Sequence, residues 1–165
     1  MKRLLSLLFA LFTCGQMLAQ EAFIFNEWLR SGDFNKAEAY IDSILSQRKF
    51  KKDPYFLYQK GRLREKQFKA TPPDNEVQKN KYLQQGFQHL LLAYDFARRS
   101  GVNKKIYLNS SIQLLEQSLN FSQSLVEKEN DTLAYLLLEG LYDEVKNQDY
   151  FPDTEVAKLG LAYSE

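Results

Sequence analysis

Seven stretches of this chain carry apolar side chains at helical spacing, and each is set off from the next by a residue that stops or starts a helix. Such a pattern confines the fold to packed helices. The first runs from Glu21 to Arg30 with Phe25, Trp28 and Leu29. Gly32 suits a left-handed helix end and Asp33 a cap for the next helix. In the second stretch Ala37, Ile41, Ile44 and Leu45 form one stripe. Asp53-Pro54 opens a third helix, predicted to reach about Phe68, since proline fits the first turn. A polar loop, residues 69–75, leads into a fourth from about Val77 to Ser100, with Leu83, Phe87, Leu90, Leu91 and Tyr94 aligned and Gly101 ending it. Residues Lys104 to Lys128 place Leu108, Ile112, Leu115 and Leu119 on one face. Asn130-Asp131-Thr132 caps a sixth, with Ala134, Leu138, Leu141 and Val145 in line. Phe151-Pro152-Asp153 opens a seventh, containing Val156, Leu159, Gly160 and Tyr163. No stretch alternates like a half-buried strand, and the chain has only 7 glycines and 4 prolines. An all-α fold is expected.

Upstream of these helices lies a different kind of segment. Met1-Lys2-Arg3, the apolar run from Leu4 to Phe12 and the exit Thr13 to Gln20 have the basic, apolar and small-residue parts of a secretory signal. The apolar run is shorter than the roughly 20 residues that span a membrane. Cleavage after Ala19 and cleavage after Gly15 are both open. Cys14 is the single cysteine; it is either discarded with the signal or, on a faint resemblance to the bacterial lipoprotein box, a lipid anchor. Phe12 and Thr13 replace the small residues of that box, so the discarded reading is preferred. With residues 1–19 removed, residues 20–165 are long enough for one domain with a substantial core. The expected location is the periplasm or the exterior of a Gram-negative bacterium.

Several turn residues carry a family resemblance. Gly32-Asp33-Phe34-Asn35-Lys36-Ala37 resembles the Gly-Asp-Tyr-x-x-Ala turn of tetratricopeptide repeats, and Leu159-Gly160-Leu161-Ala162-Tyr163 resembles the core of such a repeat's first helix. Small residues Gly61, Ser111 and Gly160 recur at separations of 50 and 49. The resemblance implies a right-handed α-solenoid of about three antiparallel helix pairs plus a seventh helix. An ordinary helical bundle is the competing architecture. The family resemblance also implies a concave groove lined by first helices and taking a protein or peptide. Trp28, Tyr58, Arg62, Tyr107 and Gln113 occupy candidate groove positions. Val156, Leu159, Gly160 and Tyr163 mark the last helix as a candidate docking surface, since apolar residues surround much of its circumference. That helix is read either as a cap on the array or as the start of a further unit. The corresponding functions are an extracytoplasmic binding scaffold or a sensory or assembly segment of a longer membrane-associated protein.

Charge narrows the partners. After Ala19 the chain holds 20 basic and 21 acidic residues, which argues against a general nucleic-acid binder. Gln20 to Lys105 carries 17 basic and 10 acidic residues, and Ile106 to Glu165 carries 3 and 11. Such asymmetry can steer a charged partner. Lys49, Lys51, Lys52, Arg62, Arg64, Lys66 and Lys69, interleaved with Phe50 and Phe68, form a basic zone that could take an acidic peptide, a sugar acid or a membrane surface, or simply solvate the chain. Catalysis and metal binding have little to build on. His89 is the single histidine, and a nucleophilic or metal site needs partners this composition lacks. Glu139, Asp143 and Glu144 read as a solvated helix face. Neither an enzyme nor a cofactor is expected. Asp42-Ser43-Ile44 and Asp131-Thr132-Leu133 match a short acceptor pattern for O-glycosylation, with Thr132 also a candidate helix cap.

Overall fold

The computed structural model of the protein describes residues 23–146, 148 and 151–164, with side chains described through Ala162. The signal-like N-terminus, both cleavage positions, Cys14 and the Tyr163 side chain lie outside the described residues. Within them the chain is all-helical and contains no strand. The helices are α1 (residues 23–31), α2 (Phe34–Ser46), α3 (Pro54–Ala70), α4 (Glu76–Ser100), α5 (Lys105–Val126), α6 (Asp131–Val145) and α7 (Asp153–Ser164).

Local chemistry sets their ends. Gly32 has φ +82° and ends α1, where the Asp33 N–H reaches back to the Trp28 carbonyl at 3.0 Å. Asp53 caps α3 by accepting from the Tyr55 and Phe56 N–H groups at 2.9 and 3.4 Å, with Pro54 in the first turn. At the end of α4, Gly101 takes φ +73°, and the Ala97 carbonyl accepts from both Gly101 and Val102. Glu129 performs the same left-handed turn after α5, at φ +62°, without glycine's freedom.

Two compact units divide between Tyr40 and Ile41, inside α2. In the first, Phe25, Leu29 and Ala37 are buried. The Tyr40 ring packs against Phe25 at 5.9 Å and against Trp28 at 5.8 Å.

The second unit holds α3 to α7. Each of these helices packs on the next, α4 also lies against α6, and α5 meets α7. The main core joins Leu83, Phe87, Leu90 and Leu91 of α4 to Leu114, Leu115, Phe121 and Leu125 of α5, to α6 through Leu137 and Leu141, and to Leu159 of α7. A smaller core, made of Leu57, Ala93, Tyr94, Ala97 and Tyr107, ties the start of α3 to the end of α4 and the start of α5.

Hydrogen bonds between non-successive helices span 52 to 56 residues, the longest being Gln88 to Glu144. Between α4 and α6, Asn80 donates to the Leu133 carbonyl and Gln84 to the Leu136 carbonyl, across separations of 53 and 52 residues. Between α3 and α5, Gln117 donates to Glu65 across 52 residues. Glu76, at the start of α4, accepts from Lys128 and Asn130 across 52 and 54 residues. These contacts therefore recur a few residues beyond the interval of 49 and 50 read from Gly61, Ser111 and Gly160.

Helix α5 buries more than its expected stripe. Leu115 is fully buried, but Leu108, Ile112 and Leu119 are half-buried. An adjoining face of Tyr107, Ser111, Leu114, Ser118, Phe121 and Leu125 is buried as well. Its serines satisfy themselves within the helix: Ser111 and Ser118 donate to the Tyr107 and Leu114 carbonyls at 3.0 and 2.8 Å. Small hydroxyls bonded this way can occupy a core position without orphaning a polar atom.

Candidate functional site

Of the groove candidates, α3 supplies Tyr58 and Arg62, one turn apart, and α5 supplies Tyr107 and Gln113. Tyr58 meets Tyr107 edge-on, with ring centroids 5.4 Å apart. The Arg62 guanidinium lies 6.0 Å from the Tyr58 ring centre and donates to the Gln59 side chain at 2.9 Å. Three of the five residues are thus in one connected cluster. Tyr107 is its buried member, only 7 % exposed, and burial followed by the nearby Asp53 carboxylate raises its phenol above the ordinary range. It acts as the floor on which Tyr58 rests. Gln113 is exposed on α5. Trp28 is half-buried in the first unit, where its ring packs on Tyr40.

Farther along the same pair of helices stands a polar contact that no sequence stripe announces. Glu65 accepts from Lys69 at 2.5 Å and from Gln117 at 3.2 Å. Burial is the largest influence and pushes its carboxyl up, but these two hydrogen bonds together with the Lys69 and Lys66 charges outweigh it and leave the carboxyl below the usual value. Next along, Phe68 meets Phe121 edge-on at 5.6 Å, and the Lys79 ammonium of α4 sits 5.2 Å from the Phe68 ring centre and 5.8 Å from that of Phe121. Aromatic, charged and aromatic contacts therefore alternate where α3 meets α5.

The basic zone does not hold together as one surface. Arg64 is 8 % exposed, donates to Gln67 at 2.7 Å and packs over Tyr82. Its aliphatic stem lies close to Gly86. It is a structural residue between α3 and α4. Lys69 is engaged by Glu65, whereas Lys49, Lys51 and Lys52 are exposed in the segment before α3.

His89 is half-buried on α4, with Nδ1 2.5 Å from the Gln85 carbonyl. Burial is the main cause that holds its pKa below the ordinary value; Lys60 and Arg64 add to that, and the carbonyl contact opposes it. On α6, Glu139 accepts from the Tyr135 hydroxyl, Asp143 pairs with Lys146, and Glu144 accepts from Gln88. Among the described residues no group of three or more His, Cys, Asp or Glu side chains is placed to hold a metal ion. Ser43 and Thr132 are both exposed. Asn130 occupies the cap position of α6, but makes no side-chain cap bond; its amide donates to Glu76 instead.

On α7, Leu159 is fully buried in the main core, and Val156 and Ala162 pack against it. Gly160 faces the Tyr142 ring of α6. Among the described side chains the outward residues are Asp153, Thr154, Ala157, Lys158 and Leu161, the last 65 % exposed. Much of the helix's apolar circumference is therefore spent covering the core. No helix among the described residues is long and apolar enough to cross a membrane. Comparison with known protein families, with curated proteins and with solved structures finds no match.

Proposed function

We propose that this chain is a non-enzymatic scaffold that binds a protein or peptide outside the cytoplasm. Its architecture in this reading is a right-handed stack of about three tetratricopeptide-like helix pairs followed by a seventh helix. In such a stack equivalent helices of successive units lie side by side, so their contacts recur at one repeat length. The observation that carries the proposal is that recurrence. Gln117 to Glu65 joins α5 to α3, and Gln84 to Leu136 joins α4 to α6, both across 52 residues. The pairs α3–α4 and α5–α6 then represent consecutive units, with α3, α5 and α7 as first helices.

Tyr58, Arg62 and Gln113 are the binding residues on the first helices α3 and α5, with Tyr107 packed beneath Tyr58. An arginine stacked on a tyrosine presents both a donor fork and an apolar plane, a combination enriched where proteins make strong contacts. Export rests on the signal-like N-terminus, and the binding role on the resemblance to tetratricopeptide proteins.

The test is a quantitative pull-down from envelope extract with wild-type bait, an Arg62→Glu/Gln113→Glu bait and a charge-matched unrelated protein. The proposal expects a discrete partner on wild-type bait, reduced at least about tenfold by the double substitution, as befits loss of a contact worth about 1.4 kcal/mol or more. Equal capture by all three baits would refute it.

A further inference from the structure

The fold gathers an unusual charge at one end of the second unit. The segment between α2 and α3 carries Arg48, Lys49, Lys51 and Lys52, and the end of α4 with the turn into α5 carries Arg98, Arg99, Lys104 and Lys105. These two segments are far apart in sequence but share one platform, the small core of Leu57, Ala93, Tyr94, Ala97 and Tyr107. The Phe96 ring joins them directly: the Lys52 ammonium lies 5.7 Å from its centre and the Arg99 guanidinium 5.9 Å. All eight cations are exposed.

Carboxylates do not match them. From Ser46 to Phe56 and from Asp95 to Tyr107 the acidic residues are Asp53 and Asp95 alone. Asp53 is committed to capping α3, and Asp95 pairs with Arg98 and Arg99. Among the described residues none of Arg48, Lys49, Lys51, Lys52, Lys104 and Lys105 is paired with a carboxylate.

Between these cations stand apolar side chains that the core does not use. Val102 and Ile106, on either side of Asn103-Lys104-Lys105, are 50 and 53 % exposed, and Tyr55 is 40 % exposed. The core at this point is already closed by Tyr107, the next residue, which is buried. A polybasic cluster attracts anionic lipid headgroups by roughly 1 kcal/mol per cation near the surface. Aliphatic side chains set among the cations add affinity by entering the headgroup and acyl boundary. An acidic polypeptide would use the charges, whereas exposed aliphatics set among cations match the boundary between headgroups and acyl chains, which takes both at once.

We propose that this end of the protein, Lys49 to Lys52 together with Arg98 to Ile106, is a docking surface for an anionic lipid bilayer. The lysines and arginines engage headgroup phosphates, and Val102 and Ile106 insert beside them. Docking by the helix ends leaves Gln113 and the outward face of α7 unused, and it is independent of the partner-binding reading above.

The test is vesicle flotation of the purified protein in its exported form, without the signal-like N-terminus, with about 30 % phosphatidylglycerol in phosphatidylcholine against phosphatidylcholine alone. Wild-type protein is expected to float with the anionic vesicles and to be released by salt. Lys51→Glu/Lys52→Glu/Lys104→Glu/Lys105→Glu should lower partitioning at least about a hundredfold, from the loss of four surface cations. Val102→Ser/Ile106→Ser should lower it about tenfold with its salt dependence kept, as apolar burial alone is lost. Circular dichroism of both variants, matching wild type, secures the comparison. Equal flotation with neutral vesicles, or no effect of the charge reversals, overturns the proposal. So does binding to soluble poly-glutamate that equals vesicle binding and ignores the Val102 and Ile106 substitutions, because the surface would then serve an acidic polypeptide.

Discussion

Gly61 and Gly86 face each other across the contact of α3 with α4, so closely that a methyl group on either would crowd its neighbours. A Cβ on Gly61 would stand 2.7 Å from Cγ and Cδ2 of Leu90 and 3.3 Å from the Gly86 carbonyl. One on Gly86 would stand 2.9 Å from Leu114 and 3.2 Å from Cβ of Arg64. Overpacking of this kind costs about 1–3 kcal/mol, against a gain of about 1 kcal/mol from replacing glycine in a helix. Gly61→Ala and Gly86→Ala should therefore each lower stability in urea, and neither should raise it. Gly160→Ala is the control: its Cβ would meet Tyr142 at an ordinary 3.7 Å, so helix propensity should make it neutral or stabilising by up to about 1 kcal/mol.

Glu129 sits at φ +62°, a conformation that costs an L-residue about 1–2 kcal/mol and glycine much less. Glycine loses about 0.5–1 kcal/mol more entropy on folding, so Glu129→Gly should stabilise by roughly 0.5 kcal/mol. Chemical denaturation at neutral pH measures it; a destabilised variant would show that the Glu129 side chain supplies more than its backbone costs.

Glu76 ties the start of α4 to the turn before α6. Its carboxyl is held below the ordinary value of 4.5 first by the hydrogen bond from Lys128 and then by that from Asn130. A depressed carboxylate pKa contributes stability above the unfolded value and loses it as pH falls through the folded one. The stability gap between wild type and Glu76→Gln should be largest above pH 4.5 and close progressively below it. A gap that widened on acidification would contradict the assignment.

His89 gives the opposite chemistry the same sign. Burial holds its pKa below 6.5, so the unfolded chain takes up the proton first. Stability contributed by neutral His89 is then complete above pH 6.5 and declines as pH falls below it, down to the folded pKa. His89→Gln should flatten the decline of the melting temperature just below pH 6.5, and an unchanged slope would exclude His89 as its source.

Helix ends were the most legible part of the sequence, because Gly32, Asp53-Pro54 and Gly101 each impose a backbone geometry that stops or starts a helix regardless of tertiary context. Apolar stripes were legible for α4 and α6, where one face is buried and composed of leucines, alanines and aromatics. On α5 the stripe of Leu108, Ile112, Leu115 and Leu119 does lie in or against the main core, but it accounts for only part of the buried surface, because an adjoining face uses Ser118 and Ser111, whose hydroxyls are bonded to their own helix. Arg64 was not legible for a related reason, since its charge marks it for the surface while its stem is packed near Gly86. At the candidate site, Tyr58 and Arg62 could be placed together from their spacing on α3. Their contact with Tyr107, the Glu65–Gln117 bond and the cationic end built from two distant segments depend on how helices meet, which no local pattern encodes.

The proposal that first helices present the binding face is tested most directly by site-specific photocrosslinking in the organism that makes the protein. A benzophenone side chain would replace Tyr58, Arg62 or Gln113 on the first helices, or Tyr135, which is exposed on the second helix α6. Discrete adducts of one common mass from the first-helix positions, with none from Tyr135, are expected. Adducts from Tyr135 alone, or none from any first-helix position, would contradict the proposed binding face.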